Sequence, residues 1–356
     1  TTTPMPGNVS LIFHREPNYF ASDCVLGPDR QTVIIRDNQS AEIVAVATRA
    51  AREMHVAGEK QRIGYLGGLR IANHVRGQGL LARGFRFLHE LHQADPTPPA
   101  YYLTTIAEGN LKAGNSLTSR RAGLPTYHPL CRLQTLVLPI RKRRRKVTEL
   151  RSSGCCVESL SSWGELLDFF QSSGQTRTFF PAYQQCDFDP NSSNGGERTF
   201  RNMDLSSILV AKRDDIMIGA AGLWDQRSFR QTVVDEYSRT ITSIRPALNQ
   251  LSRLVGGVPL PRAGESLDGC YVSFPVIRNG DEKVLRSLLL RLMEIAPADA
   301  QFILAGFCEG DPLLPVAQKL SRSQYTTRLY AVSWNGLPSS ITEKTSNRYY
   351  LELGCL

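Results

Sequence analysis

A short glycine-containing loop, Arg76-Gly77-Gln78-Gly79, carries the residue types of this chain that point most directly to chemistry. Its two glycines lack side chains, so the backbone N–H groups of the loop can approach a bound group closely. A helix is predicted to begin at Leu80, and the free N–H groups and positive dipole end of such a helix attract anions. With Arg76 adding positive charge, the loop is predicted to hold a pyrophosphate through its backbone.

The elements that position this loop follow from the hydrophobic periodicity of the first half. Residues 80–93 place leucine and phenylalanine on one face and charged or polar side chains on the other, which predicts an amphipathic helix. Strands are predicted on both sides of that helix. The predicted order is β-β-β-α-β-α-β, comprising strands 32–36, 42–47 and 63–71, helix 80–93, strand 101–106, helix 110–121 and strand 133–140.

The second half of the chain repeats this plan. Its predicted elements are strands 208–211, 216–223 and 271–277, helix 284–295, strand 302–307, helix 316–321 and strand 329–334. The expected fold class is therefore α/β (α+β), with two tandem domains that each have a mixed, mostly antiparallel sheet flanked by helices. We expect these domains at 1–140 and 151–356, joined by a basic linker at 141–150. An insertion at about 225–269 has no counterpart in the first half.

Composition limits the class of protein. Hydrophobic residues make up 41% of the 356 positions and charged residues 21%, which is typical of globular domains and leaves room for two of them. No stretch has the length or polarity of a membrane span or a secretory signal, so a cytoplasmic protein is expected. The eight cysteines are scattered, which favours buried thiols and predicts no metal site. The formal net charge of +9 favours anionic partners: nucleic acid, a membrane surface or a ligand with several phosphates.

The loop in its context resembles a known superfamily. It follows a strand, begins an amphipathic helix and is succeeded by a second strand and a helix that starts at Asn110, and in this the chain is similar to the GNAT acyltransferases. Their signature is R/Q-x-x-G-x-G/A, and Arg76-Gly77-Gln78-Gly79-Leu80-Leu81 matches its common R-G-x-G form. Leu81 replaces the final small residue, and Ala82 follows it. The resemblance covers residues 32–140.

The resemblance implies acetyl-CoA as cofactor and an amine as acceptor. In the superfamily the fourth strand offers backbone groups to the pantetheine arm, and an asparagine that opens the next helix faces the cofactor. The implied cofactor-binding residues are Leu69, Arg70, Ile71, Arg76, Gly77, Gln78, Gly79, Leu80, Leu81, Ala82 and Asn110.

The expected general base is missing from its usual place. A free alkylammonium has a pKa near ~10, so a base or a water must remove its proton before it attacks a thioester. Many GNAT enzymes carry a glutamate on the fourth strand, but counting back from Arg76 reaches Ile63. Glu108, just past the following strand, is the first candidate base, and Glu53, His55 and His74 are the other available groups.

The expected general acid is missing as well. The superfamily often places a tyrosine in the helix after the asparagine, where this chain has none. Ser119 takes the place when it is counted from Gly123, and Tyr127 lies several residues downstream. Either hydroxyl is a candidate, and orientation together with an amide-lined hole for the oxyanion is the alternative, because thiolates leave readily.

The second half lacks a counterpart of the loop at Arg76-Gly77-Gln78-Gly79, which we call the pyrophosphate cradle. Its loop at 278–283 is shorter, with one glycine and two carboxylates that would repel a pyrophosphate, so we expect one cofactor site. The second domain is then expected to shape the acceptor pocket. Six aromatic residues near the domain junction would either wall that pocket or form core: Phe179, Phe180, Tyr183, Trp224, Phe229 and Tyr237.

Three functions remain open at this stage. The leading one is an N-acyltransferase that moves an acetyl group from acetyl-CoA to the amine of a small molecule or peptide. The first alternative is an acyl-CoA binding or sensor protein without catalysis, since both proton-transfer residues are missing. The second is an RNA-binding module that uses the basic run at 141–146.

Overall fold

The computed structural model describes residues 8–121, 123–140, 154–189, 198–255, 257–338 and 348–356, together with Pro4, Asn191 and Ile341. The predicted basic linker lies outside the described residues. The strands are β1 Val9–His14, β2 Asp29–Arg36, β3 Ile43–Val56, β4 Glu59–Ile71, β5 Tyr102–Ala107, β6 Thr126–Pro139, β7 Cys156–Ser159, β8 Ile208–Arg213, β9 Ile216–Trp224, β10 Gln231–Tyr237, β11 Gly269–Ile277, β12 Phe302–Cys308 and β13 Ser323–Ser333. The helices are α1 Tyr19–Asp23, α2 Leu80–Ala94, α3 Leu111–Leu117, α4 Trp163–Phe169, α5 Arg239–Val255, α6 Glu282–Ile295 and α7 Leu314–Leu320.

A single sheet runs through both halves of the chain. Its strand order is β2-β3-β4-β5-β13-β6-β12-β11-β9-β8-β7, while β1 and β10 form a separate two-stranded sheet. The pairing is mostly antiparallel, and β4 with β5 and β11 with β12 are the parallel pairs among the described strands. The expected mixed sheets flanked by helices are thus present, and they are joined edge to edge.

The two halves exchange their last strands. β13, from the second half, pairs with β5 and lies between it and β6, and β6, from the first half, pairs with β12 of the second half. Each half therefore completes its sheet with a strand from the other. The domain boundaries drawn from the sequence stay a prediction, because no break in the sheet marks them.

Helix α2 lies on one face of the first half. Its Phe85 and Leu88 pack on Tyr102, Tyr127 and Val332, so an apolar stripe at helical spacing is buried as the sequence predicted. A smaller cluster of Val44, Val75 and Leu80 fixes the loop before α2 to the sheet. The start of α2 therefore packs against Val44 of β3.

Most predicted elements are present, and the largest shifts are in two strands, since β3 ends nine residues later than predicted and β6 begins seven residues earlier. Among the predicted helices, α3 differs most. It ends at Leu117 instead of continuing to Arg121, because the Thr118 hydroxyl bonds to the carbonyl of Gly114 (2.9 Å) and Arg120 adopts a left-handed φ of 52°. Such a φ is incompatible with a right-handed helix.

The insertion at 225–269 builds a small layer of its own. It contains β10 and α5, and β10 pairs antiparallel with β1, a strand that the sequence analysis did not assign. Four of the six aromatic residues near the domain junction are core, since Phe179, Phe180, Trp224 and Phe229 are each at most 1% exposed. They therefore pack the interior and do not wall an open pocket.

Candidate functional site

Strands β4 and β5 separate soon after they pair. Their parallel register includes only Gly64 with Tyr102 and Tyr65 with Leu103. At Gly64 the contact is tight, because an added Cβ would lie 2.1 Å from the Tyr102 ring. One residue past Tyr65, the Thr104 hydroxyl donates to the carbonyl of Leu66 (2.7 Å), so a side chain takes over from the strand ladder. A wedge therefore opens between the two strands from Leu66 onward.

A bulge in β4 lies at the mouth of this wedge. Gly68 has a φ of 65°, and the register with β3 shifts there, so that Gly68 and Leu69 fall between the paired positions Gly67 and Arg70. Glycine adopts this conformation without steric cost. Because β5 has already separated, the β4 backbone over Leu69, Arg70 and Ile71 faces the wedge on its β5 side.

The loop after β4 leaves open space in front of α2. Gly77 and Gly79 have φ of 85° and 72°, and a Cβ added at either would have no atom within 4 Å. The N–H groups of Leu80, Leu81 and Ala82 belong to the first turn of α2 and have no partner within the helix. They point with the positive end of the dipole into this space, which is the arrangement that binds phosphate.

Side chains around the loop stabilise it from outside. The Arg76 Nε donates to the carbonyl of Ile71 (3.2 Å), and Arg83 donates to the carbonyl of Gln78 (3.1 Å). Arg76 is otherwise exposed, so its charge remains available to a phosphate. Leu81, the departure from the GNAT signature, packs partly buried in the α2 cluster, so its larger side chain points away from the loop.

Asn110 caps the helix that follows β5. Its Oδ1 accepts the N–H of Ala113 (3.2 Å), which leaves the amide NH₂ group to face a ligand. Beside it, a cavity of about 360 Å³ lies between α3, the end of β5 and the middle parts of β6 and β13. The cavity lining includes Asn110, Gly114, Thr118 and Tyr330.

Glu108 lines the same cavity in an ion-pair network. Its Oε1 accepts from Arg132 Nε (2.7 Å) and from Arg328 Nη2 (3.2 Å). The hydrogen bond from Arg132, and then that from Arg328, hold the pKa of this carboxyl below its usual value. A carboxylate stabilised in this way is a weaker base. The geometry gives no support to Glu108 as general base, a role that stays a prediction.

The two candidate acids have local partners. Tyr127 is 8% exposed, and its ring packs edge-on to Phe85 and Tyr330 at centroid distances of 6.5 and 5.9 Å. Burial raises the pKa of Tyr127 well above its usual value. The Ser119 hydroxyl donates to the carbonyl of Ser116 (2.9 Å) at the end of α3. Packing and helix capping account for both positions, and the acid role stays a prediction for each.

Sequence reasoning missed the hydroxyl groups that do surround the bulge. The side chain of Thr48 lowers the pKa of Tyr19 in α1 against the larger effect of burial, which raises it, so the two side chains lie near each other. A Cβ added at Gly68 would lie 3.6 Å from Thr48 Oγ1. Tyr65 Oη lies 3.4 Å from Thr105 Oγ1 at the last paired position of β4. The sequence signal that could have revealed α1 was Asn18, which caps this helix by accepting the N–H of Phe20 (2.9 Å). No sequence motif marks Tyr19 or Tyr65.

A buried carboxylate lies on the same side of the sheet. Asp23 is 7% exposed and accepts from Thr32 Oγ1 (3.0 Å), and Thr32 pairs with Thr48 across β2 and β3. Burial raises the pKa of Asp23 above its usual value. Asp23 therefore combines a position one strand from the bulge with a pKa shifted toward neutrality, which suits a general base.

The equivalent helix start in the second half is already occupied. Asp281 caps α6, its Oδ1 accepting the N–H groups of Lys283 (3.0 Å) and Val284 (3.3 Å), and Arg213 lies 3.2 Å from its other oxygen. These N–H groups are the ones that a phosphate would need. The second helix start is therefore closed to a phosphate, while the expected single cofactor site in the first half stays a prediction.

The part of the chain that the structure describes shows neither a metal site nor a membrane-spanning helix. It contains no group of three or more His, Cys, Asp or Glu side chains that could hold a metal ion. None of its helices is both long and apolar enough to cross a membrane.

Comparison with known proteins finds similar structures but no similar sequence family. No family model matches the chain, and no curated protein sequence does. Solved structures do: N-myristoyltransferase from Saccharomyces cerevisiae with bound myristoyl-CoA has a TM-score of 0.52 at 9% identity, covering 99% of this chain and 87% of its own. A GCN5-related N-acetyltransferase from Sphaerobacter thermophilus has a TM-score of 0.52 at 10% identity, covering 94% and 99%.

A third structure has the same fold. The GCN5-related glucosamine N-acetyltransferase region of a fungal multi-domain GH3 β-N-acetylglucosaminidase has a TM-score of 0.56 at 11% identity, covering 91% of this chain and 38% of its own. The chain has the GNAT fold. The glycine loop and the wedge lie in the first half of this fold, and its division into two tandem domains stays a prediction.

Proposed function

We propose that this GNAT-fold protein is an N-acyltransferase that moves an acetyl group from acetyl-CoA to the amine of a small molecule or peptide. The observation that carries the proposal is the continuity of the cradle at Gly77 and Gly79 with the wedge that opens beside Gly68. A pyrophosphate on the first turn of α2 and a pantetheine arm along Leu69–Ile71 would bring the thioester toward the bulge. The backbone geometry fits a CoA-type ligand better than a nucleotide alone, because the wedge continues past the phosphates.

The chemistry requires few side chains. The acceptor nitrogen, once it has lost a proton, attacks the thioester carbonyl carbon, an N–C bond forms and the C–S bond breaks, and the CoA thiolate takes up a proton. Asp23 is the carboxylate that we assign to the first proton transfer, directly or through water. The N–H groups of Gly68 and Leu69 at the bulge are the candidates to stabilise the oxyanion.

Binding of CoA without transfer is the competing function. It differs from the proposal only in turnover, so both must be measured. Calorimetry with CoA should give one site per chain, and incubation with acetyl-CoA and an amine mixture should release free CoA and an acetylated product. The RNA-binding alternative depends on residues 141–146, which lie outside the described residues.

A pair of matched variants tests the cradle. Gly79→Asp places a carboxylate in the open space before α2, where it would oppose the phosphates, so CoA binding should fall by at least about a hundredfold. Gly58→Asp is the control, because Gly58 has a similar φ of 86°, has nothing within 4 Å of an added Cβ and lies in the β3–β4 turn. Equal CoA affinity in the two folded variants would overturn the proposed site.

A further inference from the structure

Two arginines face each other at the end of the small β1–β10 sheet. His14 pairs with Gln231 at the last position of the antiparallel register, so Arg15 and Arg230 follow as opposite neighbours. Like charges at opposed positions destabilise a strand pair unless something neutralises them. Within the described ranges, neither guanidinium lies at ion-pair distance from an Asp or Glu carboxylate. The arrangement therefore places two positive charges next to each other.

The side chains of Arg15 and Arg230 differ in how many hydrogen bonds they make to the protein. Arg230 donates to Gln226 Oε1 (3.1 Å), Gly354 O (2.5 Å) and Leu356 O (2.7 Å), which ties it to the last residues of the chain. Arg15 makes one hydrogen bond to the described part of the protein, to the carbonyl of its own neighbour His14 (3.3 Å). Burial, and then the charge of Arg230, lower the pKa of Arg15 to about 9. Arg15 thus keeps unused N–H donors in a setting that disfavours its charge.

This pair lies beside the proposed transfer centre. Leu356, which Arg230 holds, packs in the same apolar cluster as Tyr65, the last residue of β4 that pairs with β5. The carboxylate of Asp23 in α1 is among the groups whose charge acts on Arg15. Phe13, two residues before Arg15, lies under the Arg70 guanidinium of β4, with 5.8 Å between its ring centroid and the Arg70 Cζ. The end of the β1–β10 sheet that carries the two arginines therefore lies close to β4, the strand that lines the wedge.

We propose that Arg15, supported by Arg230, binds a carboxylate of the acyl acceptor, so that the acceptor is an amino acid or peptide with a free carboxylate. This inference rests on the proposed function and narrows its substrate class. Arg15, with its unused N–H donors beside Arg230, would hold an acceptor carboxylate through a charge-assisted hydrogen bond. Its amine would then be directed toward Asp23. A polyamine would bring further positive charge to the same place and be repelled.

A matched substrate comparison tests the class in the wild-type protein. One reaction contains an equimolar mixture of the standard amino acids, and a second contains the same amino acids as C-terminal amides, each with acetyl-CoA and again with myristoyl-CoA. Mass spectrometry identifies the acylated products. We expect acylated amino acids from the first mixture and at least about tenfold less product from the second, because the amides lack the charge that Arg15 recognises.

Variants then test the residue. Arg15→Gln should raise the KM for the preferred amino acid at least about tenfold, with a smaller effect on kcat and unchanged calorimetric affinity for CoA. Arg322→Gln is the control, since it removes the same charge from an exposed position directly before β13 and should leave both constants unchanged. If Arg15→Gln does not fold, the comparison of acids with amides in the wild-type protein still decides the question.

The outcomes separate the two proposals. Equal transfer to amides, transfer to neither mixture, or an unchanged KM in Arg15→Gln would overturn the carboxylate site while CoA binding remained intact. A wild-type protein that does not bind CoA would instead defeat the proposed function itself. Transfer restricted to free acids, lost in Arg15→Gln and kept in Arg322→Gln, would establish Arg15 as a specificity residue.

Discussion

Gly68 and Phe274 occupy the same position in the two halves of the sheet. Each lies three residues past the last parallel pairing of its strand, at Tyr65 in β4 and at Tyr271 in β11, and each has a left-handed φ, of 65° and 38°. At Gly68 the backbone lies open toward the wedge. At Phe274 the side chain is fully buried, and its N–H donates to Glu352 Oε2 (2.9 Å).

The space between β11 and β12, which is the counterpart of the wedge in the second half, is therefore filled by the chain itself. Glu352 lies inside it with Tyr350, whose hydroxyl donates to the same carboxylate (2.5 Å). A Cβ added at Gly306 of β12 would lie 3.0 Å from that of Leu353, so the segment at 351–356 packs directly on the strand. The two halves therefore have a similar backbone conformation at this point. Side chains fill the space in the second half and leave the wedge of the first half open.

This asymmetry predicts that removing the cap of α6 does not create a second cofactor site. Asp281→Ala frees two N–H groups but leaves the wedge filled, so calorimetry should still give one CoA per chain. The lost cap should lower the free energy of unfolding in urea by about 1 kcal/mol. Ser162→Ala, which removes the cap of α4, should have a similar cost and provides the control. Two sites in Asp281→Ala would contradict the proposed role of the filled wedge.

The sequence predicted the first half well because its signals are local. Periodicity marks α2, and the glycines before it mark the cradle. The exchange of β6 and β13 was out of reach, since pairing Thr327 with Ala107 joins residues more than half of the chain apart and leaves no local pattern. Tyr19 and Asp23 were missed for a related reason: their importance comes from packing over Thr48 and Thr32, which only the folded sheet brings together.

Exchanged strands predict that the halves cannot be separated. A protease site inserted at 141–150 and then cleaved should leave two fragments that co-elute in size-exclusion chromatography, because β13 remains hydrogen-bonded to β5 and β6. Thermal unfolding of the uncleaved protein should show one cooperative transition. Fragments that separate without denaturant would show that the exchanged pairing contributes little to the assembly.

Glu352 predicts a dependence of stability on pH. Burial raises the pKa of this carboxyl above its ordinary value of 4.5, so the folded state keeps the proton to higher pH than the unfolded chain does. Its contribution to stability is full below about that ordinary value and is lost as pH rises through the folded pKa. Glu352→Gln cannot titrate, so the free energy of unfolding of the wild-type protein relative to this variant should fall between pH 4 and 8. A difference that is constant across urea titrations at pH 4, 6 and 8 would contradict it.

Two carboxylates compete for the role of general base, and their environments predict different kinetics. Asp23 is buried against β2, with β3 between it and the bulge, and has a raised pKa, whereas the pKa of Glu108 is lowered by Arg132 and Arg328. Asp23→Asn should lower kcat about a hundredfold and remove the acidic limb of the pH profile, since protonation of Asp23 would no longer limit the rate.

Glu108→Gln provides the matched comparison, because it makes the same change from carboxylate to amide at the exposed network. Its kcat should stay within a few-fold of the wild-type value, its acidic limb should persist, and the loss of an exposed ion pair should change the stability little. Both variants need an identified acceptor, steady-state rates between pH 5 and 9, and calorimetry to confirm that CoA still binds. A normal profile in Asp23→Asn with a large loss in Glu108→Gln would reverse the assignment. It would place proton transfer in the cavity beside α3, on the face of the sheet that carries Asn110.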